Sequence, residues 1–136
     1  MKKKYVVAFD QGTTSTRTII FNQQGEIVKI SQKELTQYYP KSGWVEHDPI
    51  EIYNDQVATF HNVLEDAKIN PEEIVSVGIT NQRETTVVWS KETGEPIYNA
   101  IVWLDKRSSF ICDNLAKKGY ATYIKENTGL VIDAYF

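Results

Sequence analysis

The sequence predicts an α/β fold with a mixed sheet, and three observations carry that prediction. Residues 6–10, 16–21 and 27–31 form apolar or β-branched runs in close succession, separated by turn residues such as Asn22, Gln23, Gln24 and Gly25. An amphipathic helical stretch follows from about residue 49. Residues 74–79, Ile-Val-Ser-Val-Gly-Ile, then read as another strand. Three strands joined by short turns predict an antiparallel meander, and a strand reached across a helix is expected to lie parallel to the first.

Each element has its own signal. Asp48 precedes Pro49, and Glu51 stands three residues on, which is the pattern of an N-cap acid, a proline at the first helical position and an acid in the first turn. Tyr53, Val57, Phe60, Leu64 and Ala67 recur at three- and four-residue spacing, so they are expected to face the sheet. After Asn70-Pro71, residues 74–79 are expected to be a second buried strand. Residues 85–89 return as a strand, Lys91 to Gly94 turn, and residues 100–103 add another short strand. A helix is expected over 108–118, ended by Gly119 as a glycine just past its last turn, and a shorter helical stretch precedes Asn127.

Composition sets the class. A chain of 136 residues with 41% hydrophobic residues is long enough to bury roughly two-thirds of its unfolded surface, so one soluble unit with its own core is expected. A net charge of −3 argues against a surface built for nucleic acid or for anionic membrane. The basic start Met1 to Lys4 is followed by an apolar run that ends at Asp10, too short for a signal sequence, so a cytoplasmic protein without membrane insertion is expected. Cys112 is the single cysteine, which excludes an intramolecular disulfide, and as a helix residue it is expected to be partly covered. His47 and His61 lack the spacing of a zinc site. The chain contains no G-x-x-x-x-G-K-[ST], G-x-G-x-x-G or H-E-x-x-H pattern, which removes P-loop, dinucleotide and zincin chemistry.

Two stretches carry chemistry. The first strand runs straight into Asp10-Gln11-Gly12-Thr13-Thr14-Ser15. A glycine that lets the backbone turn and approach a ligand, followed by amides and hydroxyls, can cradle phosphate oxygens, and a carboxylate at Asp10 can organise a magnesium ion directly or through water. The same residues suit an ordinary hairpin turn. The second stretch is Arg83-Glu84, in the turn leaving residues 74–79. A five-donor guanidinium beside an acceptor-only carboxylate can bracket the hydroxyls of a polyol, and it can equally be a solvated surface pair.

Together these blocks resemble the FGGY family of carbohydrate and polyol kinases, and within it the glycerol kinases. The resemblance rests on Phe9 to Ser15 with Arg17, on Gly43-Trp44-Val45-Glu46-His47-Asp48-Pro49, and on Gly78-Ile79-Thr80-Asn81-Gln82-Arg83-Glu84-Thr85-Thr86. It continues through Tyr98 to Trp103, Asp105-Lys106-Arg107, Thr128-Gly129-Leu130 and Tyr135-Phe136. Leu104 stands where the family usually has a polar residue and Lys106 where arginine is common. The resemblance implies a ribonuclease H-like, actin-like ATPase domain, and residues 1–136 as an FGGY-type N-terminal domain without its C-terminal partner. It implies ATP and Mg²⁺ as cofactors and transfer of the terminal phosphoryl group of ATP to glycerol. Gly12, Thr13, Thr14, Ser15 and Arg17 would meet the phosphates, Asp10 the metal, and Arg83, Glu84, Trp103 and Tyr135 the glycerol. The family's general-base aspartate and adenine pocket match nothing in this chain, so the catalytic residue is expected outside it. A chain closing on two aromatics is expected to be a truncated product or a piece of a longer enzyme, inactive alone. A homo-oligomer stays open for the complete enzyme. A related sugar kinase, an inactive remnant and a non-catalytic actin-like ATPase domain are the alternatives; the last has no use for Asn81-Gln82-Arg83-Glu84.

Overall fold

The computed structural model describes residues 4–136; Met1, Lys2 and Lys3, the first residues of the basic start, lie outside the described residues. The chain sorts into two compact units, one of residues up to Thr36 with Asp48–Gln82, the other of Gln37–His47 with Arg83–Phe136.

The first unit is built on the predicted meander. Strands β1 (Tyr5–Gln11), β2 (Ser15–Phe21) and β3 (Ile27–Glu34) pair antiparallel, with Asp10 opposite Arg17 and Gln11 opposite Thr16. The turn before β3 forms because the Asn22 side-chain oxygen accepts from the amides of Gln24 and Glu26, while Gly25 takes a φ of 78°. A short strand, β4 (Glu46–His47), belongs to the second unit. Helix α1 (Pro49–Ala67) then begins as the sequence predicts, with the Asp48 carboxylate accepting from the amides of Ile50 and Glu51. Glu51 accepts the amide of Thr36. After a 3₁₀ turn at Pro71–Glu73, strand β5 (Ile74–Thr80) lies parallel to β1, giving the sheet order β3-β2-β1-β5. The mixed sheet follows from connection length: tight turns reverse the chain, whereas the helical crossover returns it in the same direction.

The core of this unit is Val7, Ile20, Val63, Leu64 and Ile69, with Phe9 meeting Phe60 edge-on at 5.4 Å. Two expectations are corrected here. Tyr53 is 67% exposed, and the sheet-facing side of α1 carries Asp55, Gln56 and Thr59 beside Val63 and Leu64. Gln56 and Thr59 are satisfied across the layer: Thr16 Oγ1 donates to Gln56 Oε1 at 2.5 Å, Gln56 Nε2 donates to Thr18 Oγ1 and the Arg17 carbonyl, and Thr18 bonds Thr59 at 2.9 Å, while Asp55 pairs with Lys33 through Oδ1 and leaves Oδ2 without a partner among the described residues. Apolar periodicity cannot see a face made by hydroxyls and amides that bury one another. Strand β5 is also not buried. Val75, Val77 and Ile79 are exposed, because β5 pairs with β1 alone and stands at the sheet edge among the described residues.

The second unit is looser. β4 pairs antiparallel with β6 (Ala100–Ile101), and Val45, Ala100 and Val102 are buried there. The strand expected over 85–89 is absent: Thr86 bridges Ile101 and Trp89 bridges Pro96, each singly. β-branched propensity at residues 85–88 is not enough without a continuous partner, and β6 lasts two residues before the chain turns. The strand expected over 100–103 shortens for the same reason. Helices α2 (Ser109–Lys117) and α3 (Tyr120–Thr128) follow, separated by Gly119 at a φ of 84° as predicted. Cys112 lies half-buried on α2.

Candidate functional site

The predicted phosphate loop is the hairpin between β1 and β2. Its Gly12 amide donates to the Ser15 carbonyl at 3.0 Å, and Leu35 donates to the Thr14 carbonyl at 2.9 Å. A Cβ on Gly12 would stand 3.0 Å from the Ser15 oxygen, a distance real Cβ atoms rarely tolerate, so the tight turn needs glycine for space rather than for an unusual φ. Asp10 and Arg17, opposite each other in the strand register, form a 2.5 Å ion pair with both side chains partly open to solvent. Two buried polar atoms there have no partner among the described residues: Arg17 Nε and Gln11 Oε1. An orphaned guanidinium N–H beside a loop of hydroxyls is a donor directed at an acceptor the chain does not supply, which fits a phosphate oxygen. Asp10 offers carboxylate oxygen, the ligand type that fits magnesium better than a softer metal.

The predicted polyol residues divide. Trp103 and Tyr135 come together, edge to face, with ring centroids 5.0 Å apart. The Asp133 carboxylate fixes the approach of Tyr135 by accepting its amide at 2.9 Å and pairing with Lys106 at 3.4 Å. Together these hold the Asp133 carboxyl below the usual carboxylate range, the Tyr135 amide contributing most. Arg83 and Glu84 are both exposed and do not pair with each other or with any described group. Glu84 holds a φ of 53°, the left-handed region that a glutamate rarely adopts. An adjacent surface ion pair needs neither that backbone nor that isolation. Gln82, the residue before, is 8% exposed with both ends of its amide unpartnered among the described residues.

The sequence left Trp44 without a role, and the structure supplies one. The Arg107 guanidinium lies 3.8 Å from the centroid of the Trp44 ring. Its Nη2 donates to Glu46 Oε1 at 2.7 Å and to Asp105 Oδ2 at 2.8 Å, and its Nε donates to Asp105 Oδ1 at 2.9 Å. Glu46 also accepts from Tyr98 and Asn99, and Asp105 from the Val45 and Arg107 amides. Both carboxylates are nearly inaccessible, at 2% and 3%. Burial alone would push the Glu46 carboxyl up, but hydrogen bonds from Arg107, Tyr98 and Asn99 outweigh it and hold it below the usual range. Burial opposes the charge on Asp105 too, and the Arg107 side chain with the Arg107 and Val45 amides overcomes it. Arg107 is held more strongly protonated than usual, chiefly by Asp105. Spacing could have hinted at this cluster through Glu46 and Asp105-Lys106-Arg107, but charge pattern alone does not say which acids share one base. His47 is buried as well, its Nε2 2.8 Å from Gln37 Oε1.

The sign of a pH effect follows. With folded-state values below unfolded ones, the two carboxylates stabilise the fold fully above the ordinary carboxylate value near about pH 4, and that contribution is lost as pH falls through the folded values. The melting temperature of Glu46→Gln is expected to lie below that of the unmutated chain at about pH 6, with the gap closing towards about pH 3. Thermal unfolding across that range checks it; a gap independent of pH would remove the charged form of Glu46 from the account.

An antiparallel meander joined through a crossover helix to a parallel fourth strand, with an acid–glycine–hydroxyl hairpin at the end of its first strand, defines an actin-like ATPase core. A sequence profile described as the FGGY family of carbohydrate kinases, N-terminal domain, matches residues 5–136. The chain belongs to that family. It is 61% identical over 134 residues to the glycerol kinase of Alkaliphilus oremlandii and 60% identical over 135 residues to that of Aeromonas hydrophila. These alignments cover 98% and 99% of the chain, and the chain spans 27% of the length of each relative. Among solved structures it matches Plasmodium falciparum glycerol kinase with ADP at a TM-score of 0.87 and 34% identity, over all of this chain and 28% of that one. A gluconate kinase from Lactobacillus acidophilus reaches the same TM-score at 23% identity, over 97% of this chain and 26% of its own, which speaks for the fold alone. Among the described residues no helix is long and apolar enough to cross a membrane.

Proposed function

We propose that this chain is the phosphate- and polyol-holding N-terminal domain of a cytoplasmic glycerol kinase, which phosphorylates glycerol to sn-glycerol 3-phosphate at the expense of ATP. The observation that carries the reading is the presence of two half-sites of different chemistry. The hairpin at Asp10 to Arg17 offers an orphaned cationic donor and hydroxyls, and Trp103 with Tyr135 offers an apolar wall that carries a phenol. Identity of about 60% to glycerol kinases across the chain supports glycerol over a larger sugar.

In this reading Thr13, Thr14, Ser15 and Arg17 bind phosphate oxygens and Gly12 keeps the turn tight enough for them to converge. Asp10 would hold magnesium, which neutralises phosphate charge as phosphoryl transfer proceeds. Trp103 covers the carbon backbone of glycerol, while Tyr135, Arg83 and Glu84 fix its hydroxyls. The proton of the attacking hydroxyl leaves to a base supplied by polypeptide outside this chain, so residues 1–136 alone align no donor with an acceptor.

The test fuses residues 1–136 to the remainder of the Alkaliphilus oremlandii glycerol kinase. The fused enzyme is expected to phosphorylate glycerol in preference to pentoses and hexoses, and purified residues 1–136 to show no glycerol-dependent ATP consumption. A preference for a sugar would make this a related FGGY kinase. Turnover by the isolated chain would overturn its assignment as half a site.

A further inference from the structure

Trp103 sits in a turn whose Asp105 amide donates to the Val102 carbonyl at 2.8 Å. Both ends of that turn are tied to one neighbouring segment. Val102 donates to the Val45 carbonyl at 3.1 Å, Val45 donates to Asp105 Oδ2 at 2.7 Å, and Lys106 donates to the Gly43 carbonyl at 2.7 Å. Arg107 locks this arrangement from below, because one guanidinium grips Asp105 on the turn and Glu46 on the neighbouring segment while its flat face rests on Trp44. A lysine could keep the charge there, but it lacks the fork that reaches two carboxylates at once and the plane that stacks on an indole.

We propose that Arg107, acting through Asp105 and Glu46, is a positioning residue for the polyol wall: it sets the depth and angle of the Trp103 turn against Tyr135 without touching substrate. The inference rests on the reading of Trp103 as that wall. Its reach is short, since Arg107 is four residues from Trp103 and its ligand Asp105 closes the turn that carries the indole.

In the fused enzyme Arg107→Lys is expected to raise KM for glycerol about tenfold, with kcat and KM for ATP moving less than about threefold. Glu46→Gln is expected to act in the same direction more weakly, because Arg107 and Tyr98, which both donate to Oε1, can still donate to a glutamine oxygen there while only Asn99 loses its acceptor. The distinguishing measurement is a double-mutant cycle. In a Trp103→Ala background the effect of Arg107→Lys on KM for glycerol should vanish, since there is no indole left to place. Losses that simply add, or a melting temperature that falls in both variants with KM for glycerol unchanged, would reduce the cluster to a structural brace and overturn the proposal. Should the unmutated fused enzyme ignore glycerol, or Trp103→Ala leave its KM unmoved, the functional reading fails and carries this inference down with it.

Discussion

Asp10→Asn in the fused enzyme is expected to lower kcat at least about a hundredfold while changing KM for glycerol by less than about threefold. The substitution keeps shape and removes one negative charge. It takes that charge from the end of β1, beside the hairpin proposed to bind phosphate, and leaves Trp103 and Tyr135 untouched. Arg17 loses its partner, yet with 43% of its side chain open to solvent it does not become a buried orphan charge, so stability should change little. Steady-state kinetics with ATP and glycerol varied separately checks the split. Near-normal kcat at ordinary magnesium concentration would end the role assigned to Asp10.

Glu84→Ala is expected to lower kcat/KM for glycerol at least about tenfold, equivalent to about 1.4 kcal/mol, with no matching loss of ATP affinity. If Glu84 closes on a glycerol hydroxyl inside a covered site, truncation leaves that hydroxyl unmatched, a loss on the order of 2–5 kcal/mol. An exposed surface pair would account for about 0–1 kcal/mol. The structure sharpens the contrast, because Arg83 and Glu84 are not paired and Glu84 holds a left-handed backbone. Relieving that strain by Glu84→Gly should stabilise the turn while removing the carboxylate, so activity and stability should move in opposite directions. Unchanged kcat/KM for glycerol in Glu84→Ala would return both residues to the surface.

The strand directions were legible because they follow from connection length, which sequence displays directly. Asp48-Pro49 marked the start of α1 to the residue, since a cap is a local interaction. What escaped were features that depend on distant partners. Tyr53 fits helical periodicity yet faces solvent, because Gln56 and Thr59 take the sheet-facing side with Thr16 and Thr18 as partners some forty residues away. Val77 and Ile79 read as buried by composition alone, which cannot say how many neighbours a strand has. At the candidate site the hairpin could be read from its own residues. Trp44 could not, because its meaning lies in an arginine more than sixty residues on.

The hydroxyl and amide ladder between β2 and α1 has a mechanical consequence for the hairpin above it. Thr16, the Arg17 carbonyl and Thr18 are the first positions after the turn, and each is tied to Gln56 or Thr59. An apolar contact tolerates sliding by a fraction of an ångström at little cost, whereas a hydrogen bond weakens steeply once its angle or length drifts. The helix therefore works as a ratchet pawl on the strand, admitting one register and resisting its neighbours. If the hairpin receives phosphate oxygens as proposed, it gains from standing on a footing that cannot creep.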